Sequence, residues 1–131
     1  MSITKVQKIL IVEDDRTLSH LYQTKLEKTG YQVAIALDGE EGLKQIADFK
    51  PDAILLDIII PKIDGFSVLE RLKEEPGTKN IPVILLTNLG QDEDVEKGKA
   101  LGADDYLIKS NFTPTEIVKK LEEVISNKKS K

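Results

Sequence analysis

Cysteine is absent from this chain, and histidine occurs only once, as His20. The first absence excludes a disulfide framework and thiolate metal sites, and the second excludes a metal site built from several imidazoles. No apolar run approaches the ~20 residues that a membrane-spanning helix needs. Residues 1–8 also lack the long apolar core of a signal peptide. We therefore expect a cytoplasmic protein without membrane insertion.

A surplus of positive charge is missing as well. The net charge is −4 and no basic stripe is present, so direct binding to nucleic acid is not expected. With 131 residues, 40% of them hydrophobic, the chain is long and apolar enough for one packed core. We predict a single domain over residues 1–131, with a core at about residues 8–125 and flexible ends.

Four short apolar stretches each end at a polar residue. The stretches are residues 9–12, 53–56, 83–86 and 106–108. The polar residues that follow are Glu13 with Asp14, Asp57, Thr87 and Lys109. Short continuous apolar runs are typical of strands buried on both faces of a parallel sheet. Because the carboxyl ends of parallel strands share one edge, where ligands of open α/β sheets bind, we expect these polar groups to share one cleft.

Strand and helix patterns alternate five times along the chain, which indicates a (βα)₅ topology. Right-handed crossovers then favour a doubly wound, flavodoxin-like α/β fold with a five-stranded parallel sheet in the order 2-1-3-4-5. In that order strands 1 and 3 are neighbours. Glu13, Asp14 and Asp57 are therefore expected to lie beside one another.

The pattern over residues 91–101 predicts the weakest helix. It has few apolar anchors, many charges and an internal Gly98, which costs about 1 kcal/mol relative to alanine. We expect it to be the most mobile element. The last helix has a strong start signal, with Thr113 as the cap and Glu116 three residues on, and it is expected to end near residue 126.

Three carboxylates packed together repel one another, and a divalent cation removes that repulsion. An all-oxygen ligand set favours Mg²⁺, with Mn²⁺ as an alternative, and phosphoryl transfer uses Mg²⁺ in the same way. Asp57, at the end of the central strand, is best placed to form an acyl phosphate. Lys109 supplies a positive charge for a phosphoryl oxygen and Thr87 a hydroxyl donor. Asp14 or Asp15 has a simpler reading as the cap of the first helix.

Four motifs, in their order and spacing, resemble the receiver domain of response regulators in two-component signalling, close to the single-domain chemotaxis type. The resemblance covers nearly the whole chain. The motifs are residues 9–15 (Ile-Leu-Ile-Val-Glu-Asp-Asp), 55–66 (Leu-Leu-Asp-Ile-Ile-Ile-Pro-Lys-Ile-Asp-Gly-Phe), 83–87 (Val-Ile-Leu-Leu-Thr) and 102–109 (Gly-Ala-Asp-Asp-Tyr-Leu-Ile-Lys).

The resemblance implies that Asp57 accepts a phosphoryl group from a sensor histidine kinase. It also implies a Mg²⁺ ion bound directly by Asp14 and Asp57, by Glu13 through a water, and by the backbone carbonyl of Ile59. Pro61 and Gly65 are implied to shape the loop that follows the acceptor.

Three further residues acquire implied roles in a conformational switch. Lys109 pairs with a phosphoryl oxygen, Thr87 is the switch hydroxyl, and Tyr106 is the aromatic side chain that turns inward when Thr87 moves. The helix at residues 91–101 is expected to report the change. Partner binding would then change at the face made by helix 4, strand 5 and helix 5.

The chain departs from the family pattern at several positions. Many receivers have a small residue directly after the switch hydroxyl, whereas this chain has Asn88 there, followed by Leu89. Ile59 is apolar where polar residues are frequent, and we expect Ile59 and Leu89 to shield an acyl phosphate from water. In many family members a proline follows this lysine, and the peptide bond between the two is cis. Here Ser110 follows Lys109. Because Lys109 must still point into the cleft, we expect the Lys109–Ser110 bond to be cis as well.

Several functions remain open. The chain is expected to act on an unknown downstream protein, or as a phosphorelay intermediate or phosphate sink that donates to a histidine phosphotransfer protein. It could equally be a receiver fragment of a larger regulator. A phosphatase of the haloacid dehalogenase kind is disfavoured, because that family needs an acid where Ile59 stands. We therefore expect no enzymatic turnover of outside substrates.

Overall fold

The structure of the protein, a computed structural model, describes residues 7–129, with only the backbone considered at residues 128 and 129. The expected flexible ends fall in part on residues 1–6 and 130–131, which lie outside the described residues. Strands and helices alternate along the chain. In order they are β1 (Lys8–Val12), α1 (Arg16–Lys28), β2 (Gln32–Ala36), α2 (Gly39–Phe49), β3 (Ala53–Leu56), α3 (Gly65–Glu74), β4 (Val83–Thr87), α4 (Asp92–Ala100), β5 (Asp105–Ile108), a 3₁₀ turn (Lys109–Asn111) and α5 (Pro114–Lys129).

The five strands form one parallel sheet in the order β2-β1-β3-β4-β5, as predicted. The register places the ends of β1 and β3 level with each other, since Val12 pairs with Leu56. The next residues, Glu13 and Asp57, therefore leave the sheet side by side. At the other side of the centre, Thr87 pairs with Ile108, so that Lys109 follows directly from the same edge.

Alternate strand residues pack into two layers, one on each face of the sheet. Leu10, Leu56 and Leu85 face α2 and α3, where they meet Ile46, Val68, Leu69 and Leu72. Ile9, Leu55 and Ile84 face α1 and α5, where they meet Tyr22, Leu26, Ile117, Leu121 and Ile125. Because both faces are covered, β3 is apolar throughout, and β1 and β4 are apolar except at one end residue each, Lys8 and Thr87. This is the pattern that identified these strands in the sequence.

Side-chain caps start most of the helices at the predicted positions. Asp15 accepts from the backbone N–H of Leu18 at 3.0 Å and so caps α1, which resolves the choice between Asp14 and Asp15. Thr113 and Glu116 exchange two hydrogen bonds at the start of α5, the expected capping box. In contrast, Gln91 makes no side-chain capping bond to α4.

The chain differs from expectation at two helix ends. α5 continues to Lys129, beyond the expected end near residue 126. α4 is one residue shorter than predicted at each end. Among residues 7–129, no helix combines the length and the apolar character that a membrane crossing requires.

Candidate functional site

Three carboxylates meet at the carboxyl edge of the sheet. The backbone N–H of Asp57 donates to the carbonyl of Val12 at 3.0 Å, which joins the residue after β3 to the end of β1. Glu13 is 3% exposed and Asp57 is 6% exposed, whereas Asp14 is exposed. One oxygen from each of the three side chains lies within 4.8 Å of the other two. The structure thus brings together the acids that the sequence predicted to be neighbours.

Lys109 completes this cluster. Its Nζ donates to Oδ2 of Asp57 at 2.7 Å and also forms an ion pair with Oε1 of Glu13. The lysine begins the short 3₁₀ turn after β5, and its peptide bond to Ser110 is trans. The expectation of a cis bond was wrong, because a lysine that starts this turn reaches the carboxylates with an ordinary backbone.

Burial and hydrogen bonding have opposite effects on the pKa values of Glu13 and Lys109. Burial raises the pKa of Glu13 above its usual range, although hydrogen bonds from Lys109 and from the backbone N–H of Asp15 oppose the effect. Burial by itself would lower the pKa of Lys109, but its hydrogen bonds to Asp57 and Glu13 raise it overall. The ammonium therefore stays charged, and additional positive charge would favour the ionised form of Glu13.

The donor set of the cluster fits a hard divalent cation. It offers only carboxylate oxygens, and their mutual distances suit a shared ion of the Mg²⁺ or Ca²⁺ type. Ile59, whose carbonyl is a predicted ligand, follows closely on the chain, and its backbone N–H donates to Oδ1 of Asp57 at 3.2 Å. The structure therefore contains an acidic cluster able to bind a metal, and the role of the Ile59 carbonyl stays a prediction.

Thr87 and Tyr106 meet at the backbone of Leu89. Oγ1 of Thr87, which is fully buried, accepts from the N–H of Leu89 at 3.3 Å. The hydroxyl of Tyr106 donates to the carbonyl of the same residue. Tyr106 is 8% exposed and thus occupies the inward position. Burial, with the nearby charges of Asp94 and Asp57, raises the pKa of Tyr106 to about 12.

Gly98 explains how the aromatic ring fits beneath α4. A Cβ atom at this position would lie 2.6 Å from Cδ1 of Leu85 and 2.9 Å from Cδ2 of Tyr106. The sequence indicated only that a glycine weakens the helix. The structure shows that the missing side chain makes room for Tyr106, a contact that no local pattern reveals.

The loop after Asp57 is held by a glycine that the sequence analysis did not single out. The N–H of Gly39, at the start of α2, donates to the carbonyl of Pro61 at 3.1 Å. A Cβ on Gly39 would lie only 1.8 Å from the carbonyl oxygen of Ile63. Gly65 makes a similarly close backbone contact, because a Cβ added there would lie 2.2 Å from the carbonyl oxygen of Asp57. Both contacts need glycine because backbone meets backbone.

Tyr22 is a second residue near the site to which the sequence analysis assigned no role. This α1 side chain is 2% exposed and lines the same small packing gap as Glu13 and Asp57. Burial raises the pKa of Tyr22 to about 12. A buried phenol thus lies next to the acidic cluster.

Comparison with known proteins agrees with this geometry. A family model described as the response regulator receiver domain matches residues 9–122. The chain belongs to the response regulator receiver domain family. This confirms the family that the motifs indicated and accounts for the order of the sheet.

Individual relatives extend the comparison. The chain is 46% identical over 102 residues to the DNA-binding dual master transcriptional regulator RpaA of Synechocystis sp., an alignment that covers 78% of this chain and 42% of that protein. The structure of a CheY-like receiver domain protein from Methanospirillum hungatei JF-1 superposes with a TM-score of 0.89 at 28% identity, covering 96% and 98% of the two chains. Chemotaxis response regulator CheY4 of Vibrio cholerae gives a TM-score of 0.85 at 30% identity, covering 92% and 99%.

The curated relatives also differ from this chain in length. The chain spans less than half of each of the first curated relatives that it matches, and these are transcriptional regulators. The comparisons therefore support a receiver domain, without favouring the single-domain chemotaxis type over the transcriptional type.

Proposed function

We propose that this chain is a signalling switch in which Asp57 accepts a phosphoryl group from a sensor histidine kinase. The observation that carries the proposal is the Lys109–Asp57 hydrogen bond of 2.7 Å inside a cluster of three carboxylates. A nucleophilic carboxylate, a cation-binding oxygen set and a fixed ammonium are the groups that acyl phosphate formation needs. The reaction is proposed to occur in the cytoplasm, where ATP provides the phosphoryl group that the kinase carries.

The transfer is a substitution at phosphorus. A carboxylate oxygen of Asp57 forms the new O–P bond while the P–N bond of the kinase phosphohistidine breaks, and the imidazole nitrogen leaves with the electron pair. Mg²⁺, held by Glu13, Asp14, Asp57 and the carbonyl of Ile59, would neutralise charge on the transferred group; Mn²⁺ has the same ligand preference. Lys109 holds the acceptor in place and then compensates the charge of the product.

Phosphorylation adds about −1.5 to −2 charge at the cluster, and this new charge drives the switch. The resemblance makes the buried hydroxyl of Thr87 the switch donor. Thr87 and Tyr106 each form a hydrogen bond with the backbone of Leu89. A movement of Thr87 toward the phosphoryl oxygens therefore releases the N–H of Leu89 and alters the loop before α4. The face made by α4, β5 and α5 changes as a result.

The proposed partners are a histidine kinase and one downstream molecule. The downstream partner is a protein or a histidine phosphotransfer protein if the chain acts alone, as in the single-domain chemotaxis type. The matched relatives are named as transcriptional regulators, so a receiver within a larger DNA-binding protein is the second candidate. In neither case does the domain turn over outside phosphoesters, since Ile59 occupies the position of the general acid that such a phosphatase needs.

Amide NMR spectra test the switch directly. We expect Mg²⁺ with beryllofluoride, a stable mimic of a phosphoryl group, to shift the amides of residues 87–91, α4 and β5 most strongly. Mg²⁺ alone should shift mainly residues near Glu13, Asp14 and Asp57. The Asp57→Asn variant should lose the beryllofluoride response, and an unchanged response in that variant would contradict the proposal.

Calorimetric titration with Mg²⁺ tests the metal site separately. Asp14→Asn should weaken binding strongly, because it removes a proposed direct ligand. Asp15→Asn is the matched control: its side chain caps α1 rather than facing the cluster, and asparagine is an equally good cap. Equal losses of Mg²⁺ affinity in the two variants would count against the assigned ligand set.

A further inference from the structure

One side-chain hydrogen bond joins the two loops that carry the switch threonine and the cluster lysine. Oδ1 of Asn88 accepts from the backbone N–H of Ser110 at 3.2 Å, across 22 residues of sequence. Asn88 directly follows Thr87 at the end of β4, and Ser110 directly follows Lys109 after β5. The bond therefore connects the chain neighbours of two residues of the proposed phosphorylation site.

The turn that presents Lys109 is short. It contains three residues, Lys109–Asn111, and has no side-chain capping bond at its start. Its own backbone bond, from the N–H of Phe112 to the carbonyl of Lys109, is 3.3 Å long. Short 3₁₀ turns have poor hydrogen-bond geometry. A tether at Ser110 thus acts on the residue directly next to the lysine, within this short turn.

We propose that Asn88 is a positioning residue for Lys109, and this inference rests on the proposed phosphorylation of Asp57. The Asn88 amide holds the backbone of the turn, and the turn aims the ammonium at Oδ2 of Asp57. Fixing the backbone of the turn in advance removes backbone freedom that would otherwise be lost when the ammonium binds the phosphoryl oxygens. Asn88 acts only through Lys109 and does not touch the phosphoryl group itself.

Position 110 is suited to this contact because serine retains a backbone N–H. A proline there would have no donor for Asn88. The tether thus depends on two residues that are distant in sequence, an amide acceptor at 88 and a non-proline residue at 110. The same bond links the lysine turn to Thr87, because Asn88 must follow any movement of the residue before it.

The test compares phosphorylation rates with acetyl phosphate and Mg²⁺ as the reagents. Asn88→Leu has similar volume without the acceptor, and Asn88→Asp keeps the acceptor oxygen. We expect Asn88→Leu to slow phosphorylation about two- to tenfold, the effect of one net hydrogen bond, and Asn88→Asp to retain most of the rate. Asn111→Leu, an exposed asparagine in the same turn, is the matched control and should stay near the wild-type rate.

Two further measurements separate positioning from general damage. The Mg²⁺ affinity of Asn88→Leu should match wild type, and hydrogen exchange of the Ser110 amide should accelerate. In a Lys109→Ala background, Asn88→Leu should have no further effect on the rate, because the proposed action passes through the lysine.

The outcomes distinguish this inference from the function on which it rests. If wild type takes up no phosphoryl group on Asp57, the proposed function itself fails. If wild type is phosphorylated but Asn88→Leu reacts at the wild-type rate, or slows the Lys109→Ala protein equally, only the positioning role of Asn88 is overturned.

Discussion

Lys109 and Asp57 are joined by a hydrogen bond of 2.7 Å between Nζ and Oδ2, although 52 residues separate them in the chain. The other oxygen of the carboxylate, Oδ1, accepts from the backbone N–H of Ile59 at 3.2 Å. Each oxygen of the Asp57 carboxylate thus has its own hydrogen-bond donor. A carboxylate held in this way needs little rearrangement to act as an acceptor of a phosphoryl group.

The ammonium of Lys109 is expected to compete with a bound metal. Lys109→Met should strengthen Mg²⁺ binding about tenfold, since like charges at short range in a protein cost ~1–4 kcal/mol. The same change should slow phosphorylation, because the product loses its fixed counter-charge. Calorimetry measures the affinity, and Lys119→Met on the exposed face of α5 is the control. Weaker Mg²⁺ binding in Lys109→Met would show that the lysine supports the metal site instead.

Gly39→Ala should disturb the loop that follows Asp57. The added Cβ would lie 1.8 Å from the carbonyl oxygen of Ile63, and overpacking against backbone costs ~1–3 kcal/mol. We expect a lower free energy of unfolding and weaker Mg²⁺ binding, since the loop carries the carbonyl of Ile59. Gly77→Ala, where nothing lies within 4 Å of the new Cβ, is the control for both measurements. Wild-type Mg²⁺ affinity in Gly39→Ala would show that metal binding does not depend on the conformation of this loop.

Gly98→Ala should force Tyr106 out of its inward position. The new Cβ would lie 2.9 Å from Cδ2 of the ring, while the helix itself gains about 1 kcal/mol in propensity. Burial holds the pKa of Tyr106 at about 12, so exposure should lower it toward the usual ~10. Absorbance titration, with Tyr106→Phe subtracted to isolate this phenol, gives the value. If the pKa of Tyr106 stays near the wild-type value, the Leu85 side chain has moved to accommodate the new Cβ and Tyr106 has remained buried.

Much of this architecture follows from local sequence patterns. The apolar runs that become β1, β3, β4 and β5 are buried on both faces, so their composition alone identifies them, and right-handed crossovers then fix the order of the sheet. The meeting of Glu13, Asp14 and Asp57 was predictable for the same reason, because neighbouring parallel strands end at a common edge.

Contacts between separate loops were not predictable in this way. The hydrogen bond from Ser110 to Asn88 and the contact of Gly39 with the loop after Asp57 both join segments more than 20 residues apart in the chain. Each depends on the exact positions of two loops in the fold, and these positions produce no periodic pattern in the sequence. The trans bond after Lys109 was missed for a related reason, since the turn that aims the lysine is set by its neighbours.

Ile59 is expected to control the lifetime of the acyl phosphate. Its side chain is 63% exposed beside Asp57, which is an unusual place for a large apolar group. Ile59→Asn should speed hydrolysis of the phosphorylated protein several-fold, because a polar side chain admits and orients water near the phosphorus. Leu21→Asn, at another exposed apolar position, serves as the control. Loss of the phosphoryl group is followed by mass spectrometry after removal of the donor, and equal lifetimes for Ile59→Asn and wild type would exclude the shielding role.

The central claim is that Asp57 forms a covalent bond to phosphorus, and intact mass measurement after incubation with Mg²⁺ and acetyl phosphate tests it most directly. We expect wild type and Asp52→Asn, a control at an exposed aspartate at the opposite end of β3, each to gain the mass of one phosphoryl group. Asp57→Asn should gain none, and chelation of Mg²⁺ should abolish the gain in wild type. An unmodified wild-type protein, or an Asp57→Asn protein that is modified equally, would contradict the account.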